Sequence, residues 1–136
     1  MLSHSIQTRV RYSETDKMGF CYYGNYAQFF EMGRVETLRE IGVSYASMED
    51  QGILLPVVDF SVKYFKPAFY DELLTIKTTL VKEPLVKIEF DYEIFNEKNE
   101  RLTKANTVLV FTDAAERKPI KAPDELIRKI REKLAV

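Results

Sequence analysis

Two carboxylates and two glycines fall within one short stretch, Tyr12-Ser13-Glu14-Thr15-Asp16-Lys17-Met18-Gly19-Phe20-Cys21-Tyr22-Tyr23-Gly24-Asn25-Tyr26. A loop that runs into a helix ends among backbone N–H groups with no intrahelical partner, backed by the positive end of the helix dipole. Such donors can hold a developing oxyanion. Together with a carboxylate they suit acyl transfer to water. Asp16 either attacks the acyl carbon or deprotonates a water, and the residues leave both routes open.

An Asp ahead of a helix is often only a turn or helix-terminus residue, so its neighbours carry the weight. Glu14 reads as a structural hydrogen-bonding acid. Cys21 reads as a small apolar filler, because the only histidine, His4, lies in what reads as a solvated N-terminal tail and cannot activate it.

The elements that position the loop follow from periodicity. Residues 5–12 alternate as a half-buried strand, with Ile6, Thr8, Val10 and Tyr12 on one face. From Asn25 the period changes to that of a helix. Tyr26, Phe29, Phe30, Gly33, Thr37, Leu38 and Ile41 form its apolar stripe, and Gly42 ends it. Gly33 inside a helix costs up to about 1 kcal/mol against Ala, which points to a backbone lying close against a sheet. Residues 44–51 predict a helical turn capped by Ser44 and closed by Gly52. Four strand-like runs follow at 54–65, 73–82, 85–96 and 102–112. In the third, Val86, Ile88, Phe90, Tyr92 and Ile94 oppose Lys87, Glu89, Asp91 and Glu93, and residues 96–100 make a hairpin link. Residues 123–134 close the chain as an amphipathic covering helix, acidic at its start and basic in its later turns. Five antiparallel strands around one long helix define an α+β layer arrangement within a single domain, 1–136.

Composition excludes several classes. Twenty Lys+Arg against 21 Asp+Glu give a net charge of −1 with no basic stripe, so nucleic acid is not an expected partner. One cysteine and one histidine rule out a disulfide framework and a zinc cluster; no metal or cofactor is expected. No signal-peptide run or apolar stretch of spanning length is present, so membrane insertion is not expected and a cytoplasmic location is.

The run Tyr12-x-Glu14-Thr15-Asp16-x-Met18-Gly19-x-x-Tyr22-Tyr23-x-Asn25-Tyr26, followed by Phe29-Phe30-Glu31-x-x-Arg34-x-Glu36, resembles the signature of the 4-hydroxybenzoyl-CoA thioesterase family of hotdog proteins. That family includes short-chain acyl-CoA thioesterases associated with the Tol-Pal system. A second patch, Val62-x-Tyr64-x-Lys66-Pro67-Ala68-x-Tyr70-Asp71-Glu72-Leu73, resembles the family's second strand and the turn after it. The likeness spans roughly residues 5–113.

The resemblance implies a hotdog fold, hydrolysis of a short-chain or aromatic acyl-CoA, and a homodimer or homotetramer with sites at the subunit interface. Asp16 would be the catalytic carboxylate and the backbone N–H of Tyr23 the oxyanion donor. Many members have histidine where this chain has Tyr23, a difference that spares a backbone donor and bears on acyl preference. Gly19 would allow the sharp turn, and Asn25 would fix the loop and cap the helix. Independently of the resemblance, Tyr22 and Tyr26 read either as acyl-pocket residues or as core aromatics, and Ser61, on the strand expected to line the site, as a residue that orients water or substrate. Lys63, Lys66 and Arg34 are candidates for the CoA nucleotide at the rim. A non-catalytic module binding acyl-CoA or acyl-carrier protein is the rival reading. A hotdog hydratase is disfavoured, because such enzymes resemble one another in using a histidine with an acidic partner.

Overall fold

The structure is a computed structural model that describes residues 2–134. Strand β1 (Leu2–Arg9) leads through two 3-10 turns, Tyr12–Glu14 and Tyr23–Asn25, into α1 (Tyr26–Glu40). A short helix α2 (Tyr45–Asp50) precedes β2 (Ile53–Leu54), β3 (Val57–Tyr64), β4 (Leu73–Leu80), β5 (Lys87–Phe95), β6 (Arg101–Val110), β7 (Thr112–Asp113) and α3 (Asp124–Leu134). The main sheet is antiparallel in the order β1-β4-β5-β6-β3, and β2 pairs with β7 in a separate ribbon. This is the expected hotdog arrangement, with the sheet curved around α1.

Helix α1 buries Tyr26, Phe29, Phe30, Gly33, Thr37 and Leu38, the expected stripe, and packs on β1 and β4. Gly33 explains how close it comes. A Cβ there would overlap Thr78 Oγ1 on β4 and sit 3.2 Å from Ile76 Cγ2. The helix ends at Gly42 (φ +87°), whose carbonyl accepts from Lys129 Nζ of α3 at 2.7 Å. A cation there complements the negative end of the helix dipole. Ser44 caps α2 through its Oγ, which accepts from Ser47 N at 3.2 Å, as the sequence predicts.

The boundaries depart from expectation in instructive places. The first strand begins earlier, so His4 is not a solvated tail residue but lies half-buried inside β1 opposite Thr78. Tyr12 leaves the sheet instead of continuing it and is 79% exposed. The reason is the turn at 12–14, in which Thr15 N–H and Thr15 Oγ1 both donate to the Tyr12 carbonyl. The run expected as one strand at 54–65 breaks around Pro56, which lacks an N–H for the ladder. Val86 precedes β5 and stays exposed, whereas Ile88, Phe90, Tyr92 and Ile94 are buried as expected. Leu126 and Ile130 seat α3, but Leu134 projects outward.

Strand β3 is the anomaly. It is an outer strand, α1 packs mainly over the other end of the sheet, and every residue except Val62 is exposed, including Val57, Val58, Phe60 and Tyr64.

Gly33→Ala tests the helix seat. In a free helix the change would stabilise by about 1 kcal/mol. Here overpacking against Thr78 reverses the sign, and guanidinium unfolding should show a loss of about 1–3 kcal/mol.

Candidate active site

The 12–26 loop is tied by its own backbone. Asp16 N–H donates to Phe20 O (3.1 Å) and Gly19 N–H to Asp16 O (3.0 Å), so residues 16–19 form a tight turn with Gly19 at φ +89°. Thr15 and Cys21 form a bridge, and Cys21 N–H donates to Ala68 O at 2.8 Å, fastening the loop to the segment after β3.

Glu14 is the knot. Its side chain is buried, and its carboxylate accepts from Arg11 N at 2.7 Å and from the Arg11 guanidinium at 3.1 Å. Its carbonyl accepts from Tyr22 N–H and from Asn25 Nδ2, each at 2.8 Å. A buried carboxylate must be paired, and this one is. Asn25 therefore fixes the loop but does not cap α1. No side-chain cap is formed, because the amide reaches back to Glu14 and the 3-10 turn at 23–25 leads the chain into the helix instead.

Asp16 is half-buried. Its Oδ1 accepts from Met18 N–H at 2.9 Å, which orients the carboxylate, and Oδ2 has no protein partner among the described residues. The N–H groups of Tyr23 and Gly24 at the helix entrance likewise make no hydrogen bond among the described residues. Asp16 and Tyr23 line one cleft of about 360 Å³, together with Phe20, Tyr26, Tyr64 and Phe65 and with Met18, Cys21, Lys66 and Pro67.

Of the residues expected at the site, Asp16, Tyr23, Tyr26 and Lys66 line this cleft. Lys66 does so while paired with Glu100. Gly19 and Asn25 shape the loop without lining the cleft. Tyr22 stands outside it, its ring 4.8 Å from that of Tyr23. Ser61 and Lys63 do not reach it. On β3 Phe60 contacts Phe30 and Tyr64 contacts Tyr26, so alternation turns Ser61 and Lys63 to the opposite face. Arg34 is no rim cation; it is 8% exposed, and its Nε donates to Tyr45 Oη at 3.2 Å. Tyr64 and Phe65 are cleft walls that strand periodicity does not pick out. Tyr64 also donates from Oη to the Tyr23 carbonyl at 3.4 Å, and the only sequence signal for it was its place in the second motif patch.

Burial together with the Glu14 carboxylate pushes the Cys21 thiol up to about 11, so at neutral pH it is a thiol and no nucleophile. Burial likewise pushes the Tyr26 phenol well above its ordinary range. A larger groove of about 610 Å³ lies between α3 and the β4–β5 connection, but its charges are engaged with one another, as in Glu83 with Arg131 and Arg128 with Glu132. Among the described residues, no cluster of His, Cys, Asp and Glu could hold a metal ion, and no helix is long and apolar enough to cross a membrane.

Alkylation of the native protein checks the state of Cys21. Raising its pKa from 9 to about 11 lowers the thiolate fraction roughly 100-fold. Iodoacetamide at pH 7.5 should therefore label it at least that much more slowly than the guanidinium-unfolded chain, as followed by mass spectrometry.

Known proteins share both the sequence and the fold. YneP of Bacillus subtilis, named as a candidate acyl-CoA thioesterase, is 36% identical over 114 residues, covering 84% of this chain and 83% of its own. The acyl-CoA thioester hydrolase YbgC of Escherichia coli is 28% identical over 124 residues, 91% of this chain and 92% of its own. The solved structure of a DHNA-CoA thioesterase from Staphylococcus aureus superposes with a TM-score of 0.93 at 38% identity, covering 99% of this chain and 93% of that one. The model of the thioesterase-like superfamily matches residues 10–130, and the chain accordingly belongs to that superfamily as a hotdog-fold thioester hydrolase.

Proposed function

We propose that residues 1–136 act as one domain that hydrolyses a short-chain or aromatic acyl-CoA to the free acid and CoA. The observation that carries this reading is the cleft itself, which is lined both by Asp16, a carboxylate with one oriented and one free oxygen, and by Tyr23, whose N–H at the entrance to α1 is uncommitted. The thioester carbonyl oxygen accepts from Tyr23 N–H, a fixed donor in a partly water-excluded place. Asp16 Oδ2 then attacks the acyl carbon and expels CoA thiolate, leaving a mixed anhydride that water opens; alternatively, Oδ2 takes a proton from the water that attacks. Aromatic walls from Phe20, Tyr26, Tyr64 and Phe65 suit a flat or short acyl group. Lys66 is the cation placed to meet a CoA phosphate, in exchange with Glu100. The similarity to YbgC and to the DHNA-CoA enzyme supports an acyl-CoA as substrate; acyl-carrier protein is an alternative thiol carrier, and the reaction proceeds in the cytoplasm.

Exposed β3 edges support a dimer. A long outer strand with free backbone groups and uncovered Val57, Val58, Phe60 and Tyr64 is a ready pairing surface, and a second copy pairing antiparallel would join two five-stranded sheets into one. Two such dimers would make a tetramer.

Thiol release across a panel of acyl-CoAs should be rapid for wild type and fall about 10³-fold or more in Asp16→Asn; tight binding with no release by wild type would sink the enzyme reading. Single turnover in H₂¹⁸O decides the role of Asp16, since label appearing in its carboxylate marks the anhydride route. Light scattering should give at least twice the 15.9 kDa chain mass for wild type. Val58→Asp should lower that mass by unpairing the edge.

A further inference from the structure

Arg34 is a buried guanidinium that the hydrolytic scheme leaves without a task. It lies on α1, 8% exposed, and its polar companions are phenols: Nε donates to Tyr45 Oη at 3.2 Å, and Tyr92, whose hydroxyl is also bonded to Thr107, stands beside it. No Asp or Glu of the described residues lies within ion-pair distance of it. Two phenols leave part of its donor set unused. A guanidinium carries five donors and no acceptor, and a charge this deep is ordinarily paired. The unused donors open on a cavity of about 240 Å³ walled by Phe30, Phe60 and Val57, with Glu31 and Gln28 on its lining. A cavity with flat apolar walls and a cation in its floor is built to receive a ring or short chain bearing an oxygen acceptor.

The position of this cavity along β3 says whose substrate it would receive. The Tyr64 end of the strand borders the Asp16 cleft, and the Val57 end borders the Arg34 cavity. Antiparallel pairing of two copies along β3 lays the Tyr64 end of one against the Val57 end of the other. In that pairing the Asp16 cleft of each copy would lie toward the Arg34 cavity of the second.

We propose that Arg34 of one subunit is a specificity-determining residue for the thioester held at Asp16 of the other, donating to a hydroxyl or oxyanion at the far end of the acyl group. Glu31 in the same cavity offsets the charge of Arg34, so a hydroxyl is received better than a full carboxylate. This inference rests on the thioesterase reading and on the β3-paired dimer.

The test compares hydroxybenzoyl-CoA with benzoyl-CoA, which differ only in that oxygen. Wild type should prefer the hydroxylated substrate by about tenfold or more in kcat/KM, the range of a hydrogen bond to a charged group. In Arg34→Met the preference should fall about tenfold, toward parity; Arg34→Gln reads the same ratio if the methionine variant does not fold. A mixed dimer of one Asp16→Asn chain and one Arg34→Met chain has its competent Asp16 facing the intact Arg34 of the other chain, so it should keep the wild-type preference. An unchanged ratio in a folded Arg34 variant, or a preference lost in the mixed dimer, overturns the proposal. Absence of thiol release from every acyl-CoA by wild type would instead defeat the thioesterase reading.

Discussion

The contact of α1 with β4 at Gly33 sets the geometry on which the rest depends. With no Cβ between them, the helix backbone comes down to Thr78 and Ile76, and the apolar stripe of α1 is pressed into the curved sheet. That seat fixes the helix N-terminus in space. The orphan N–H groups of a helix serve chemistry only if their position is fixed relative to the reacting carboxylate, because electrostatic stabilisation depends on donors already in place. Here the same short stretch of chain carries the uncommitted N–H groups of the helix entrance and the Asp16 carboxylate, and α1 follows directly behind it.

The loop is rigid for a second reason. Glu14 gathers the Arg11 backbone and guanidinium, the Tyr22 N–H and the Asn25 amide around one buried residue. Its two motif carboxylates thus divide the work by environment. Glu14 is enclosed and fully partnered, whereas Asp16 keeps one oxygen free at the edge of an apolar cleft. Both oxygens of the buried carboxylate are engaged by Arg11, whereas the half-buried one two residues on keeps an oxygen without a partner. The Cys21 thiol beneath them stays protonated by burial and by that same Glu14, which removes the competing nucleophile from the site.

A different constraint governs β3. The helix is wide enough to cover only part of the sheet, so the outer strand and the Phe60 and Tyr64 rings remain uncovered on the chain by itself. The two cavities at the two ends of this strand differ in content, one apolar with a carboxylate and one lined by a guanidinium.

Local physics in the sequence determined a great deal. Periodicity located α1, the runs that form β4 to β6 and the buried face of β5, Ser44 and Gly52 bracketed α2, and Gly33 signalled the close helix–sheet approach, because each of these reports on neighbours within a turn or a strand. The Asp16 motif pointed to the loop that lines the aromatic cleft. Only the tertiary structure decided which polar residues are satisfied and which are free. Asn25 looked like a helix cap and became a brace for Glu14, and His4 looked like a tail and became part of β1. Ser61 and Lys63 looked like site residues and face away from the cleft, while Arg34 looked like a rim cation and lies buried. Each of these depends on partners far along the chain or on the face a strand presents after pairing, and a residue's type and spacing carry no record of either.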